Sequence, residues 1–112
     1  MIEQEILLVI TNLPNRAAAE RIAEALVTER LAACVNILAE CTSIYRWQDK
    51  LERASEVPLL IKTTRETYPQ LESTLRRMHS YELPEIIALP ISAGLPGYLN
   101  WVFQETQTRK QI

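Results

Sequence analysis

Three short apolar runs, separated by two amphipathic stretches, do most to constrain how this chain folds. The runs are EILLVIT at 5–11, VPLLIKT at 57–63 and EIIALPI at 85–91, each rich in aliphatic residues and shorter than a typical helix. Apolar residues recur at helical spacing over 16–31 and again over 68–78. Because strand-like and helix-like segments alternate, the pattern predicts a mixed α+β domain.

The ends of the predicted helices follow from residues that start or stop a helix. Asn15 is a good N-cap for the first helix, and Pro69 suits the first turn of the second. The second helix must end before Pro84, because the residue before a proline is pushed to extended geometry. Around the sequence GLPG, apolar spacing predicts a third, shorter helix over 95–103.

The stretch AACVNILAECTSIYRW at 32–47 reads as a strand, because it is rich in β-branched and aromatic residues. The polar residues QDK at 48–50 join it to the following strand, which predicts a hairpin. Pro58 lies in that following strand and has no N–H to donate to a neighbour. We therefore expect either an edge position or a β-bulge at Pro58.

The predicted element order is β-α-β-β-α-β-α over a single domain, 1–112. This order is that of a ferredoxin-like βαββαβ sandwich with an additional C-terminal helix, in which two helices cover one face of a four-stranded antiparallel sheet. The other face of such a sheet is uncovered and apolar. An exposed apolar face in a small domain commonly marks association, so we expect a homo-oligomer.

Composition narrows the range of partners and compartments. The formal net charge of −2, with 23% charged residues of mixed sign, gives no electrostatic footprint for nucleic acid. The apolar run at 6–10 is too short for a membrane span and has no basic residue before it, so we expect a cytoplasmic protein without membrane contact. Cys34 and Cys41 point to opposite faces of an extended segment, which favours free thiols.

Catalytic motifs have no support in the sequence. The chain has only two glycines, so neither a phosphate-binding P-loop nor a dinucleotide fingerprint can be built. A Gly-x-Ser-x-Gly motif does not occur either. We therefore expect a protein that is not an enzyme.

The stretch RRMHSYELPE at 76–85 contains the single histidine, His79, close to Glu82 and Glu85. Imidazole and carboxylate are common metal ligands, which makes these three residues candidates for a cation site. The same residues also fit a simpler interpretation, in which a helix ends and a strand begins. Met78 belongs to the apolar stripe of the helix, so it already has a structural role.

Lys62 and two aromatic pairs are further candidates. Lys62 ends an apolar strand run, where a lysine either reaches solvent or faces a pocket as an anion-binding charge. Tyr45 and Trp47 share one face of a strand, and Tyr98 and Trp101 share one face of the last helix. Each pair can line a cleft or pack against another subunit.

Five segments in this order, ERLAACVNI, SIYRW, IKTT, HSYELPEII and YLNWV, resemble the CutA divalent-cation tolerance family over nearly the whole chain. The resemblance implies a trimer of ferredoxin-like subunits, similar to the PII signalling proteins, and a link to copper and other divalent metals. It also implies a ligand-facing or interface cluster, several members of which lie around the cleft between subunits. The residues that match the family pattern are Trp47, Lys62, His79, Tyr81, Glu82, Pro84, Glu85, Tyr98 and Trp101.

The chain departs from the family pattern at two positions that matter for metal. Some members have a cysteine and a second histidine where this sequence has Ile10 and Met78. We therefore expect only weak binding of copper or another divalent cation, at a site around His79 that Glu82 or Glu85, or residues of another subunit, complete. The alternative is a PII-like module that binds a small anionic metabolite, with Lys62 as counter-charge and Tyr45 or Trp47 as a stacking wall.

Overall fold

The structure is a computed structural model that describes residues 5–107. It confirms the predicted antiparallel α+β architecture with three helices. The elements are β1 (Ile6–Leu13), α1 (Arg16–Thr28), β2 (Cys34–Ile37), β3 (Cys41–Trp47), β4 (Lys50–Thr64), α2 (Tyr68–Met78), β5 (Ile86–Pro90) and α3 (Pro96–Glu105).

The long strand β4 lies at the centre of the sheet and organises it. It pairs with β1 on one side, from Ile6↔Thr64 to Leu13↔Val57. It pairs with β2 near its C-terminal end and with β3 near its N-terminal end, and β5 adds to the free edge of β1. Every pairing is antiparallel, as in the predicted sandwich.

The prediction of one continuous strand over 32–47 is wrong, because the structure divides it at 38–40. Ile37 pairs with Leu59 of β4, and Cys41 pairs with Glu56. The chain therefore advances by four residues from β2 to β3 while β4 advances by three. This one-residue slip is a β-bulge.

The bulge lies beside Pro58, which is one of the two outcomes expected there. The edge alternative is wrong, because Pro58 is the register partner of Asn12 on one side and its carbonyl accepts from the Leu38 N–H at 3.0 Å on the other. A proline without an N–H can lie in a central strand only where the ladder is interrupted, and the bulge supplies that interruption.

The helices α1 and α2 cover one face of the sheet. Residues with odd numbers in β1 and β4 point to this face, and they form the main core with the helices. Asn15 caps α1 as predicted, since its Oδ1 accepts from the Ala18 N–H at 2.8 Å. The helix ends at Thr28 rather than at residue 31, because Arg30 adopts a φ of 61° and turns the chain back.

The opposite face of the sheet is covered at one end only. There α3 packs Val102 and Leu99 against Ile6, Ala33 and Ile91 in a second, smaller core. Further along the same face, Ile87 and Leu89 keep 49% and 45% of their surface exposed. The predicted uncovered face is therefore present, although the third helix shields part of it.

The β3–β4 hairpin carries a two-residue turn, Gln48 and Asp49, with φ of 51° and 66°. Two successive left-handed residues define a type I′ turn, which matches the twist of the paired strands. The nearby side chains of Ile44 and Leu51 are exposed. Across residues 5–107, none of the helices has both the length and the apolarity that crossing a bilayer requires.

Candidate functional site

His79 follows the last residue of α2 and has an extended backbone, with φ of −76° and ψ of 141°. Its side chain is only 8% exposed. The imidazole Nε2 is 2.9 Å from the Asn12 carbonyl oxygen, and the Tyr81 N–H donates to Nδ1 at 3.2 Å. This pair of contacts requires the neutral tautomer with its proton on Nε2.

The surroundings of His79 favour that neutral form. Burial lowers the pKa of His79 below its ordinary value of 6.5, against smaller opposing effects from the Asn12 carbonyl and the Glu56 carboxylate. Its ring lies 4.8 Å from the Tyr81 ring, centroid to centroid. His79 thus ties the loop after α2 to β1, and a cation could reach Nδ1 only by displacing the Tyr81 N–H.

An open groove of about 480 Å³ lies beside this loop. Three aromatic side chains from the predicted set line it: Tyr45 and Trp47 from β3, and Tyr81 from the loop. Tyr45 and Trp47 share a face of the hairpin because they are two residues apart. The structure therefore brings these three predicted residues together in one chain.

The groove is also acidic, and the candidate residues Glu82 and Glu85 lie on its walls. Glu85 Oε1 accepts from Asn12 Nδ2 at 3.0 Å, which ties this carboxylate to β1. A third carboxylate, Glu56, lines the groove from β4 and is only 7% exposed. Burial first, and then a hydrogen bond with Glu56, raise the pKa of Tyr81 to about 12.

Sequence reasoning missed Glu56. In sequence it is one of several charged residues ahead of the apolar part of β4, with no motif around it. Its position becomes clear only from the hairpin register, in which Cys41 opposes Glu56 and Tyr45 opposes Glu52 on the same face. The sequence does contain one signal. Side chains two residues apart on a strand share a face, so Glu56 is expected on the same face of β4 as Pro58 and Leu60.

The charge of the groove is one-sided. Among the described residues that line it there is no lysine or arginine. Within residues 5–107 there is also no group of three or more His, Cys, Asp or Glu side chains arranged to hold a metal ion. A tight transition-metal site takes three or four converging protein ligands, so these residues do not fit one.

The other predicted residues form a second cluster, which we call the Lys62 cluster. Lys62 Nζ donates to Asn36 Oδ1 and lies 3.9 Å from Cys34 Sγ. Burial first, and then the proximity of Cys34, raise the pKa of Tyr98. Trp101 lies against Tyr98, with ring centroids 5.6 Å apart. Lys62, Tyr98 and Trp101 therefore come together around Cys34.

The groove and the Lys62 cluster lie at opposite ends of β4. Glu56 in the groove and Lys62 are six residues apart on this strand, which corresponds to about 20 Å. A single chain does not place Lys62 next to Tyr45 or Trp47. The thiols of Cys34 and Cys41 are both free.

Comparison with known proteins gives matches over most of the chain. The family model described as CutA1 divalent ion tolerance protein matches residues 7–105. The divalent-cation tolerance protein CutA of Thermus thermophilus is 47% identical over 98 residues, which cover 88% of this chain and 95% of that protein. Protein CutA of Mus musculus is 48% identical over 95 residues, 85% of this chain, and this chain spans only 54% of the mouse protein's length.

Solved structures match equally well. The divalent cation tolerance protein (Cut A1) from Thermus thermophilus superposes with a TM-score of 0.89 at 45% identity, covering 91% of this chain and 99% of that one. CutA1 from Oryza sativa gives a TM-score of 0.90 at 36% identity, covering 94% of this chain and 96% of that one. The family resemblance seen in the sequence is therefore confirmed, and the chain belongs to the CutA1 divalent ion tolerance family.

Proposed function

We propose that this chain is a self-associating, non-enzymatic protein of divalent-cation tolerance, and that its groove is the ligand-binding part. The observation that carries the proposal is the concentration of Glu56, Glu82 and Glu85 on walls that have no basic side chain among the described residues. A surface of this kind attracts cations. The names of the relatives, which include a divalent-cation tolerance protein, point to the same class of ligand.

The assembly that we propose is a homotrimer. The exposed side chains of Ile87 and Leu89 on the sheet, and of Ile44 and Leu51 on the hairpin, support burial against other copies. Light scattering coupled to size exclusion, at micromolar concentration, should give a mass of about three chains. A mass of one chain over the whole concentration range would rule out the trimer.

Within the groove, we propose that Glu82 and Glu85 bind copper or another divalent cation weakly. His79 can join them only if its Nδ1 is released from the Tyr81 N–H. Calorimetry with Cu(II) and Zn(II) tests this on the parent, on Glu82→Gln with Glu85→Gln, on His79→Ala, and on the exposed control Glu24→Gln. The heat should fall in the groove variants and stay unchanged in the control. Equal heats in all of them would remove the metal site.

A second candidate is the PII-like module that binds a small anionic metabolite. The observation in its favour is that the partners of Lys62, Asn36 and Cys34, are both neutral side chains. This role needs another subunit to bring Tyr45 or Trp47 to Lys62. Thermal unfolding with phosphate and with succinate should show stabilisation of the parent but not of Lys62→Ala. Stabilisation by divalent metals alone would favour the first candidate.

We further propose a cytoplasmic location. The two free thiols, Cys34 and Cys41, support a reducing compartment. Fractionation of cells that express the tagged chain, with markers for each compartment, tests this. Recovery of the chain outside the cytoplasmic fraction would contradict it.

A further inference from the structure

We propose that the groove of Tyr45, Trp47, Tyr81 and Glu56 binds an organic cation with an alkylammonium head group, in preference to a bare metal ion. This inference rests on the proposed function, because it takes the same groove as the ligand-binding part, and it names the class of ligand. Three properties of the groove carry it: a carboxylate of low exposure with no basic side chain among the described lining residues, an aromatic wall, and a volume too large for an ion.

The charge is that of Glu56. Its side chain is only 7% exposed, yet it lines the groove. Burial of a carboxylate is costly unless a cation or several hydrogen bonds compensate it. The polar neighbour of Glu56 within the chain is Tyr81, whose pKa is raised first by burial and then by Glu56. Because the lining contributes no lysine or arginine among the described residues, a positive ligand is the partner that this carboxylate lacks.

The aromatic wall defines the kind of cation. Tyr45 and Trp47 stand side by side on β3 and are 43% and 37% exposed, and Tyr81 is the third aromatic residue of the lining. Aromatic faces attract weakly hydrated cations, and quaternary ammonium groups are recognised by aromatic residues of this kind. A strongly hydrated metal ion gains little from such faces. A methylated or alkylated ammonium group gains both the ring contacts and the charge of Glu56.

The size of the groove also favours an organic cation over a metal ion. A volume of about 480 Å³ lies within the range of small-molecule sites. A metal ion instead needs several donors that converge within about 2 Å of one point. Residues 5–107 contain no such group of His, Cys, Asp and Glu side chains. The spacing of the carboxylates around the groove therefore suits a larger organic cation better than a single metal ion.

Calorimetry on the assembled protein tests the inference with choline as the probe. The control ligand is the neutral carbon isostere of choline, dimethylbutanol, which has the same shape without the charge. We expect choline to bind and the alcohol to bind about tenfold more weakly or not at all. Equal binding of both would show a merely apolar groove, and absence of choline binding would show that it takes no ammonium group. Either result overturns the inference.

Three variants locate the site. Glu56→Gln keeps the shape of the side chain and removes its charge, and Trp47→Leu removes an exposed ring. Each should weaken choline binding by about tenfold. Glu24→Gln, an exposed residue of α1 outside the groove, is the matched control and should bind like the parent. If Glu56→Gln does not fold, Trp47→Leu still decides, because unchanged affinity in that variant contradicts the aromatic site.

The same titrations separate this inference from the proposed function. Binding of Cu(II) or Zn(II) without choline binding would overturn the ammonium site and leave the metal proposal standing. If choline binds and still binds to the Glu82→Gln, Glu85→Gln variant, and no metal binds, the metal proposal is overturned and the ammonium site stands. A basic side chain of another copy is the competing occupant of the groove. In that case choline would fail to bind and Glu56→Gln would lower the mass of the assembly, which also overturns the inference.

Discussion

The two faces of the central strand β4 differ in burial, although the residues of both faces alternate along the same strand. Leu59 points to the helices and is fully buried, whereas Leu60, its neighbour, is half-buried on the other face. Both are leucines with the same intrinsic preference for burial. The covered face is complete within one chain, whereas Ile87 and Leu89 on the open face keep 49% and 45% of their surface exposed.

This contrast shows how the chain divides its roles. The covered face holds the main core and maintains the fold. The open face and the hairpin that continues from it carry the exposed apolar residues, the groove and the Lys62 cluster. Variants on the covered face should therefore change the free energy of unfolding, and variants on the open face should change assembly and binding.

The largest effect is expected on assembly. The double substitution Ile87→Glu with Leu89→Glu places two charges on the open face, where burial against another subunit would be costly. The mass by light scattering should fall to about one third of the parent value while the circular dichroism spectrum is retained. Val27→Glu, at an exposed apolar residue on α1, is the control and should leave the mass unchanged. An unchanged mass in the double variant would place the interface elsewhere.

A large effect on stability is expected from Leu59→Ala. This residue is fully buried in the main core, and deletion of its side chain leaves a cavity that should cost about 2–5 kcal/mol of the free energy of unfolding. Urea unfolding measures this loss. Leu60→Ala on the open face should cost less when the protein is dilute enough to dissociate. An equal loss at every concentration would mean that the two faces do not differ.

Smaller effects on the free energy of unfolding are expected at two threonines of the covered face, and the two effects should have opposite signs. The Thr11 hydroxyl is buried and has no hydrogen-bond partner among the described residues, whereas the Thr63 hydroxyl donates to the Leu31 carbonyl at 2.7 Å. Thr11→Val should therefore stabilise the fold by about 1 kcal/mol, and Thr63→Val should destabilise it by a similar amount. Chemical denaturation of both variants checks the signs. Destabilisation by Thr11→Val would reveal a partner for its hydroxyl.

The smallest effect is the pH dependence contributed by His79. Burial lowers its pKa in the folded chain, so the unfolded chain takes up a proton at higher pH than the folded one. The stability that depends on neutral His79 is complete above about pH 6.5 and is lost as the pH falls towards the lowered pKa. Tm measured across this range should fall more for the parent than for His79→Gln. Parallel curves would show that the pKa of His79 does not differ between the folded and the unfolded chain.

Much of the fold was predictable because it depends on local signals. Asn15, Pro69 and the apolar spacing located the helices, and short aliphatic runs located the strands, since capping, proline geometry and side-chain periodicity act within a few residues. The break at 38–40 was not predictable. It follows from the one-residue slip of β2 and β3 against β4, and a register between distant segments leaves no local signal.

The candidate site was predictable only in part. Tyr45, Trp47, Tyr81, Glu82 and Glu85 were identified from residue type and spacing, together with the family resemblance, and the structure brings them to one groove. Glu56 was missed because its importance comes from burial, which a charged residue in a strand does not reveal.

By itself, the sequence determined the antiparallel α+β class, the approximate positions of the three helices, the apolar character of both sheet faces and the family to which the chain belongs. Only the tertiary structure decided which residues meet. It placed Lys62 about 20 Å from Glu56 along β4 and engaged both nitrogens of His79 with the backbone. The physical reason is that periodicity and capping are properties of neighbouring residues, whereas strand register, burial and convergence of charges depend on segments that are far apart in the chain.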